Sequence, residues 1–176
     1  MAVLPSRDLV AWTGGAPSYS RPVTVSLKYA RVERERRYLL ARLPEGVVST
    51  REIVDRYLVG TRLRLREVRE SDGTVNRKLG HKVRLAEGPE EVACTNFYLD
   101  VEEWALLAAL PARTLRKTRH LVGRDGWVVA VDEHDDGTLI AEIDDGDRPS
   151  GLIPDWLDVV RDVTHDEAWT GAGLAR

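Results

Sequence analysis

Glu33, Glu35 and Arg37 recur at every second position of the stretch Val32-Glu33-Arg34-Glu35-Arg36-Arg37-Tyr38-Leu39-Leu40. In a strand, alternate residues point to one face, so two carboxylates and a guanidinium would line one wall. The spacing returns with other charges at Arg64 and Arg66, at Lys78 and Lys82, at Lys117 and Arg119, and at Glu142 and Asp144. A single strand of this kind is ordinarily a solvated sheet face. Here the signs are segregated strand by strand, whereas a face built for solubility interleaves them because like neighbours repel. Read together, the strands predict a charged interior. Its cations are Arg37, Arg64, Arg66, Lys82, Lys117 and Arg119; its carboxylates are Glu33, Glu35, Glu142 and Asp144, with Asp132 as a further candidate. Such an interior must be wet and balanced, or hold a charged ligand. Guanidinium forks match phosphate oxygens. The carboxylates would repel phosphate unless a hard divalent ion lay between them, and oxygen ligands without thiolate select Mg2+ or Mn2+.

The elements that must position these groups are mostly strands. Residues 1–22 read as an N-terminal arm, with turn chemistry at Trp12-Thr-Gly-Gly-Ala-Pro-Ser and docking through Leu9, Val10 and Trp12. Val23 to Lys28 begins a strand, and residues 23–176 form the main domain. Ser49-Thr-Arg-Glu52 has capping-box spacing and predicts a short helical turn. A strand runs from Tyr57 through Val68, turns at Ser71-Asp-Gly-Thr74 and returns from Val75 to Leu85. Val92 to Leu99 is a further strand. Asp100 to Leu110 is the clearest helix, capped by Asp100 and Glu103 and stopped by Pro111. Strands follow over 115–122, 126–132 and 138–144, and Pro154 opens a short helix carrying Trp156, Val159 and Val160. Leu63, Leu65, Leu115, Leu121, Ala141 and Ile143 are assigned to the outer face, under the helix and the 154–160 segment. The fold class is α+β, mainly β: a curled antiparallel sheet, charged inside, whose closure removes strand edges.

The whole chain sets the frame. Its 176 residues suffice for a sizeable core, and 43% hydrophobic with 31% charged residues is a globular composition. A net charge of -3 excludes a general nucleic-acid binder. One cysteine, Cys94, excludes a disulfide framework and a multi-cysteine zinc site; it reads as a small buried residue. No apolar run approaches a bilayer span and no signal peptide is visible, so a cytoplasmic protein is expected. His81, His120, His134 and His165 lack metal-ligand spacing. Gly14-Gly15 lacks the lysine of a phosphate-binding loop.

In series, these motifs resemble the CYTH domain, the triphosphate tunnel metalloenzyme family. Glu33-Arg-Glu35-Arg-Arg37 resembles its opening Glu-x-Glu-x-Lys. Leu63-Arg64-Leu65-Arg66 resembles its Leu-Arg-x-Arg strand, and Lys82 the lysine of the next one. Arg116-Lys117-Thr118-Arg119 resembles its Lys-Thr-Arg. Val131-Asp132-Glu133-His134 with Ala141-Glu142-Ile143-Asp144 resembles its closing hairpin, and Asp162-Val163-Thr164 its Glu-Val-Thr. The chain differs in having Arg37 for the usual lysine, Val92, Cys94 and Asn96 where acidic residues are usual, His134 for an aromatic, and Trp169-Thr-Gly171 near the end. The resemblance implies an eight-stranded antiparallel tunnel barrel with a few short helices, acting on a triphosphate or polyphosphate small molecule. It implies neither nucleic acid nor membrane as partner and leaves a homodimer open. The expected activity is hydrolysis of the terminal phosphate of inorganic or small organic triphosphate. Mg2+ or Mn2+ would lie on Glu33, Glu35, Glu142 and Asp144. Arg37, Arg64, Arg66, Lys82, Lys117 and Arg119 would hold phosphate, with Glu35, Arg37 and Glu142 catalytic. The alternatives are a non-catalytic triphosphate or polyphosphate binder and, ranked lower, an adenylate cyclase.

Overall fold

The computed structural model describes residues 9–11, 24–86, 88–146 and 150–176. Alternating inward and outward side chains produce long strands: β3 (Arg31–Leu40), β4 (Val47–Leu58), β5 (Leu63–Glu70), β6 (Val75–Arg84), β7 (Glu91–Tyr98), β8 (Ala112–Arg124), β9 (Trp127–His134) and β10 (Leu139–Asp144). Before them, β1 (Leu9–Ala11) pairs with β2 (Thr24–Ser26). Trp12, Val23 and the rest of the arm, with the docking expected of it, lie outside the described residues. The hairpins turn where expected. Gly73 (φ 86°) and Gly137 (φ 82°) adopt the left-handed backbone at the β5–β6 and β9–β10 turns, a conformation that glycine takes without strain.

The eight long strands close on themselves. Going round, β3, β7, β6, β5, β4, β8, β9 and β10 are antiparallel neighbours, and β10 pairs back onto β3 with Glu142 opposite Arg37. This is a closed eight-stranded antiparallel barrel without free long edges. One edge of β3 is shared: Arg31–Arg34 pair with β7, while Tyr38–Leu40 pair with β11 (Val159–Asp162).

The apolar core lies outside the barrel wall. Tyr38, Leu40, Val122, Val129, Val131, Ala141 and Ile143 form one cluster with Leu157, flanked by Trp127 and Trp156. Trp156 and Leu157, within the 154–160 segment expected to do so, therefore cover the outer face of β3, β9 and β10. α1 (Val101–Ala108) carries the anticipated Asp100–Glu103 capping box but buries no residue fully; its Trp104 lies against the Arg77 guanidinium.

Three expectations are corrected. Ser49–Glu52 is strand, not helix: both edges of β4 are paired, to β5 and β8, and those long-range ladders override a local capping pattern. The segment after Pro154 is a turn leading into β11, not a helix, because its backbone extends β3's ladder. Leu115 and Leu121 share the parity of Lys117, and Leu115 lines a small inner chamber with Lys117 and Asp132 rather than the outer face. Among the described residues no helix is long and apolar enough to cross a membrane.

Candidate functional site

The inward positions of the barrel converge on one cavity of about 460 Å³. β3 contributes Glu33, Glu35 and Arg37; β5, Arg64 and Arg66; β6, Lys78, Lys82 and Arg84; β8, Lys117 and Arg119; β10, Glu142. Tyr57, Arg62 and Asn96 complete much of the wall, and Thr170–Ala172 close it from the C-terminal segment, where α2 (Gly171–Leu174) begins. Nine of the ten expected site residues are thus brought together. Asp144 is the exception. It stands opposite Glu35 in register, but it is exposed beyond the lining and accepts a hydrogen bond from the Gly146 amide at 3.0 Å. The arginines of the other parity serve the framework: Arg36 grips Asp145 through Nε and Nη2 at 2.6 and 2.8 Å.

Carboxylates hold most of the wall's cations in place. Arg66 donates both Nε and Nη2 to Asp55 at 2.6 Å, and Arg64 Nε lies 3.5 Å from the same carboxylate. Lys82 donates to Glu33 at 2.8 Å. Asp132 receives Lys117 and both ends of the Arg119 fork, and Arg119 also bonds Glu142. Arg37 donates Nη2 to Glu35 at 2.9 Å, with its Nε 4.0 Å from Glu142. Its Nη1 is buried and has no hydrogen-bond partner among the described residues, although Arg37 is only 6% exposed. A buried guanidinium N–H without an acceptor carries a cost that a partner would remove.

The charges reinforce one another. Burial opposes ionisation of Asp55, yet Arg66 and Arg64 overcome it and hold the carboxyl well below its ordinary range. Burial likewise works against Glu142, but Arg119, Lys117 and Arg37 keep it ionised far below the usual carboxylate range. Glu33 is lowered because Lys82 outweighs its desolvation. Burial pushes Lys82 down, and Glu35 and Glu33 more than restore it. The site is therefore fully ionised at neutral pH in these carboxylates.

Sequence reasoning missed Asp55, Lys78 and Tyr57. Asp55 is completely buried and anchors two guanidiniums; its signal, inward parity with Ile53 and Tyr57, was hidden by the helical reading just before it. Lys78 shares Lys82's face, a parity that was visible without a role attached. Cys94 is buried and receives a 3.3 Å contact from Asn96 Nδ2, and burial raises its thiol pKa.

The proposed metal ligands were Glu33, Glu35, Glu142 and Asp144. Among the described residues, no three His, Cys, Asp or Glu side chains converge as a metal-holding group. Glu33 is engaged by Lys82 and Asp144 lies beyond the lining, while Glu35 and Glu142 both contact Arg37, at 2.9 and 4.0 Å. Mg2+ commonly takes one or two carboxylates plus phosphate oxygens. The described residues therefore do not fit an all-protein cage.

No family model matches the chain, and no curated protein matches it. Among solved structures, the hypothetical protein NE1496 is 21% identical over 81% of this chain and 96% of its own, with a TM-score of 0.54. The conserved hypothetical protein Pfu-838710-001 from Pyrococcus furiosus is 21% identical over 63% of this chain and 78% of its own, with a TM-score of 0.48. The PH1012 protein from Pyrococcus horikoshii OT3 is 14% identical over 71% and 93%, also at 0.48. What the chain shares with NE1496 is the fold, a closed eight-stranded antiparallel barrel.

Proposed function

We propose that the barrel is a triphosphate tunnel of the CYTH kind, and that it hydrolyses the terminal phosphate of inorganic triphosphate or a small organic triphosphate. The observation that carries this reading is the surplus of positive charge. Nine basic side chains line one cavity, against three carboxylates in the lining and the buried Asp55 and Asp132 behind it. An enclosed cationic surplus needs anions, and the arginine forks favour phosphate over a point-charge ligand.

Arg64, Arg66, Lys82, Lys117 and Arg119 would grip the phosphates, with little ordering cost because Asp55, Glu33 and Asp132 already hold them. Arg37, with its open Nη1, would stand at the terminal phosphoryl group. A water oxygen forms a bond to the terminal phosphorus as the bond to the bridging oxygen breaks; that oxygen leaves with diphosphate, or with the organic diphosphate, and the water's protons pass to the product phosphates and solvent. Such a transition state asks for positioning and charge neutralisation rather than covalent help. Glu142, in the lining beside Arg37 and Arg119, would orient water. Mg2+ or Mn2+, when bound at Glu35 and Glu142, would supply neutralisation of the phosphate oxygens.

One observation favours a second reading, a non-catalytic binder: Glu33, Glu35 and Glu142 are each bonded to a cation, and β7 offers Val92 and Asn96 to the lining instead of acids. Phosphate release from triphosphate with Mg2+ or Mn2+ decides between them. Turnover supports the hydrolase. Tight, chelator-insensitive binding by calorimetry without turnover supports the binder, and absence of both sinks the phosphate reading.

A further inference from the structure

Lys78 stands apart from the cations whose partners are described above. It lines the cavity, opposite Arg66 on β5 and Tyr98 on β7 in register. Among the described residues it forms no hydrogen bond or ion pair. Its neighbours Arg64 and Arg66 share the single carboxylate of Asp55, so this part of the wall carries more positive charge than its own acids balance. Burial, with the charges of Arg66 and Arg64, pushes the Lys78 ammonium below the ordinary lysine range. A half-buried cation beside two guanidiniums has an electrostatic cost that an anion would remove.

Its place in the wall says which anion. Lys78 and Lys82 share one face of β6, four residues and therefore about 13 Å of strand apart. Gly80 between them carries no side chain, and Asn96 Oδ1 and Arg64 Nη2 occupy the space over it: a Cβ there would meet them at 3.0 and 3.8 Å. The row of donors thus continues from Lys82 past Arg64 and Arg66 to a cation with nothing of its own to bind. We propose that Lys78 is a further phosphate-binding residue, which extends the tunnel's grip so that linear tetraphosphate binds more tightly than triphosphate.

The proposal rests on the phosphate reading above, and calorimetry separates the two. The intact protein is titrated with inorganic triphosphate and with inorganic tetraphosphate, alongside Lys78→Gln and Lys78→Arg. The intact protein is expected to prefer tetraphosphate by about tenfold, the strength of one charge-assisted contact. Lys78→Gln should bring the ratio of affinities close to one, and Lys78→Arg should keep it well above one. Equal affinity of the intact protein for the two anions, or a Lys78→Gln variant that keeps the preference, overturns the proposal while triphosphate binding stands. No binding of either anion by the intact protein overturns the phosphate reading and the proposal together.

Discussion

Asp55 organises one half of the wall although it never reaches a ligand. It is fully buried and shared by Arg66 and Arg64, so Asp55→Asn would leave two guanidiniums without their counterion. Breaking a buried pair in this way costs about 3–5 kcal/mol, more than the pair itself contributes. Urea unfolding should show that loss, and added triphosphate should restore part of it by supplying the missing charge. The same residue sets an acid limit. Asp55, Glu33 and Glu142 all have pKa values lowered by folding. Their contribution is therefore fully present above the unfolded carboxylate range, about pH 4, and is lost progressively as pH falls from there through their lowered folded values. Melting temperature should decline steeply below about pH 4.5, and Asp55→Asn should show a shallower acid limb than the intact protein. Arg37 acts differently: its Nη2 holds Glu35, whereas its Nη1 has no partner among the described residues. Arg37→Gln should lower kcat on triphosphate by about 10²–10³-fold, the cost of removing one transition-state donor, with a smaller change in KM.

At the scale of elements, what the sequence showed and what it hid divide along one line. β5 and β10 were legible because charged and apolar residues alternate within each, and β3 and β8 because charges recur two residues apart, patterns that need no partner to be read; in β8 Leu115 and Leu121 share the parity of Lys117, so its apolar face was misassigned. β4 was not, because Ser49-Thr-Arg-Glu52 carries a local helix-start signal. Only its pairing to β5 on one side and β8 on the other settles the conformation. Losing β4 meant losing Asp55, the counterion for cations that were found. Asp144 failed for the opposite reason: its parity is right, but it lies where β10 ends, and its carboxylate turns to the Gly146 amide. Closure at the other boundary depends on a contact that spacing does not reveal. A Cβ on Gly171 would fall 2.1 Å from the Tyr57 hydroxyl. Gly171→Ala must therefore displace the segment from Glu167 to Leu174 or the Tyr57 ring. Hydrogen exchange should rise over 167–176 while the ladders of β5 and β6 keep their protection.

Over the whole molecule, charge is partitioned rather than balanced. The chain carries a net charge of -3, yet the cavity lining holds nine basic side chains and three acidic ones, so the rest of the chain is distinctly acidic. An acidic exterior gives a polyanion no long-range attraction; its binding must come from contact with the enclosed cations. Two consequences differ from those of a basic surface patch. Triphosphate at about 100 times its Kd should stabilise the fold by roughly 2.7 kcal/mol, which for a chain of this size raises the melting temperature by about 5–11 °C. That shift should also survive salt. At about 0.15 M ionic strength exposed charges are screened beyond about 8 Å, whereas contacts inside the barrel are screened much less. Thermal unfolding with triphosphate, at low salt and at about 0.5 M NaCl under matched saturation, distinguishes the cases. A site inside the barrel keeps most of its shift, while binding to exposed side chains such as Arg42, Arg69 or Arg161 would lose it, because solvent ions screen them.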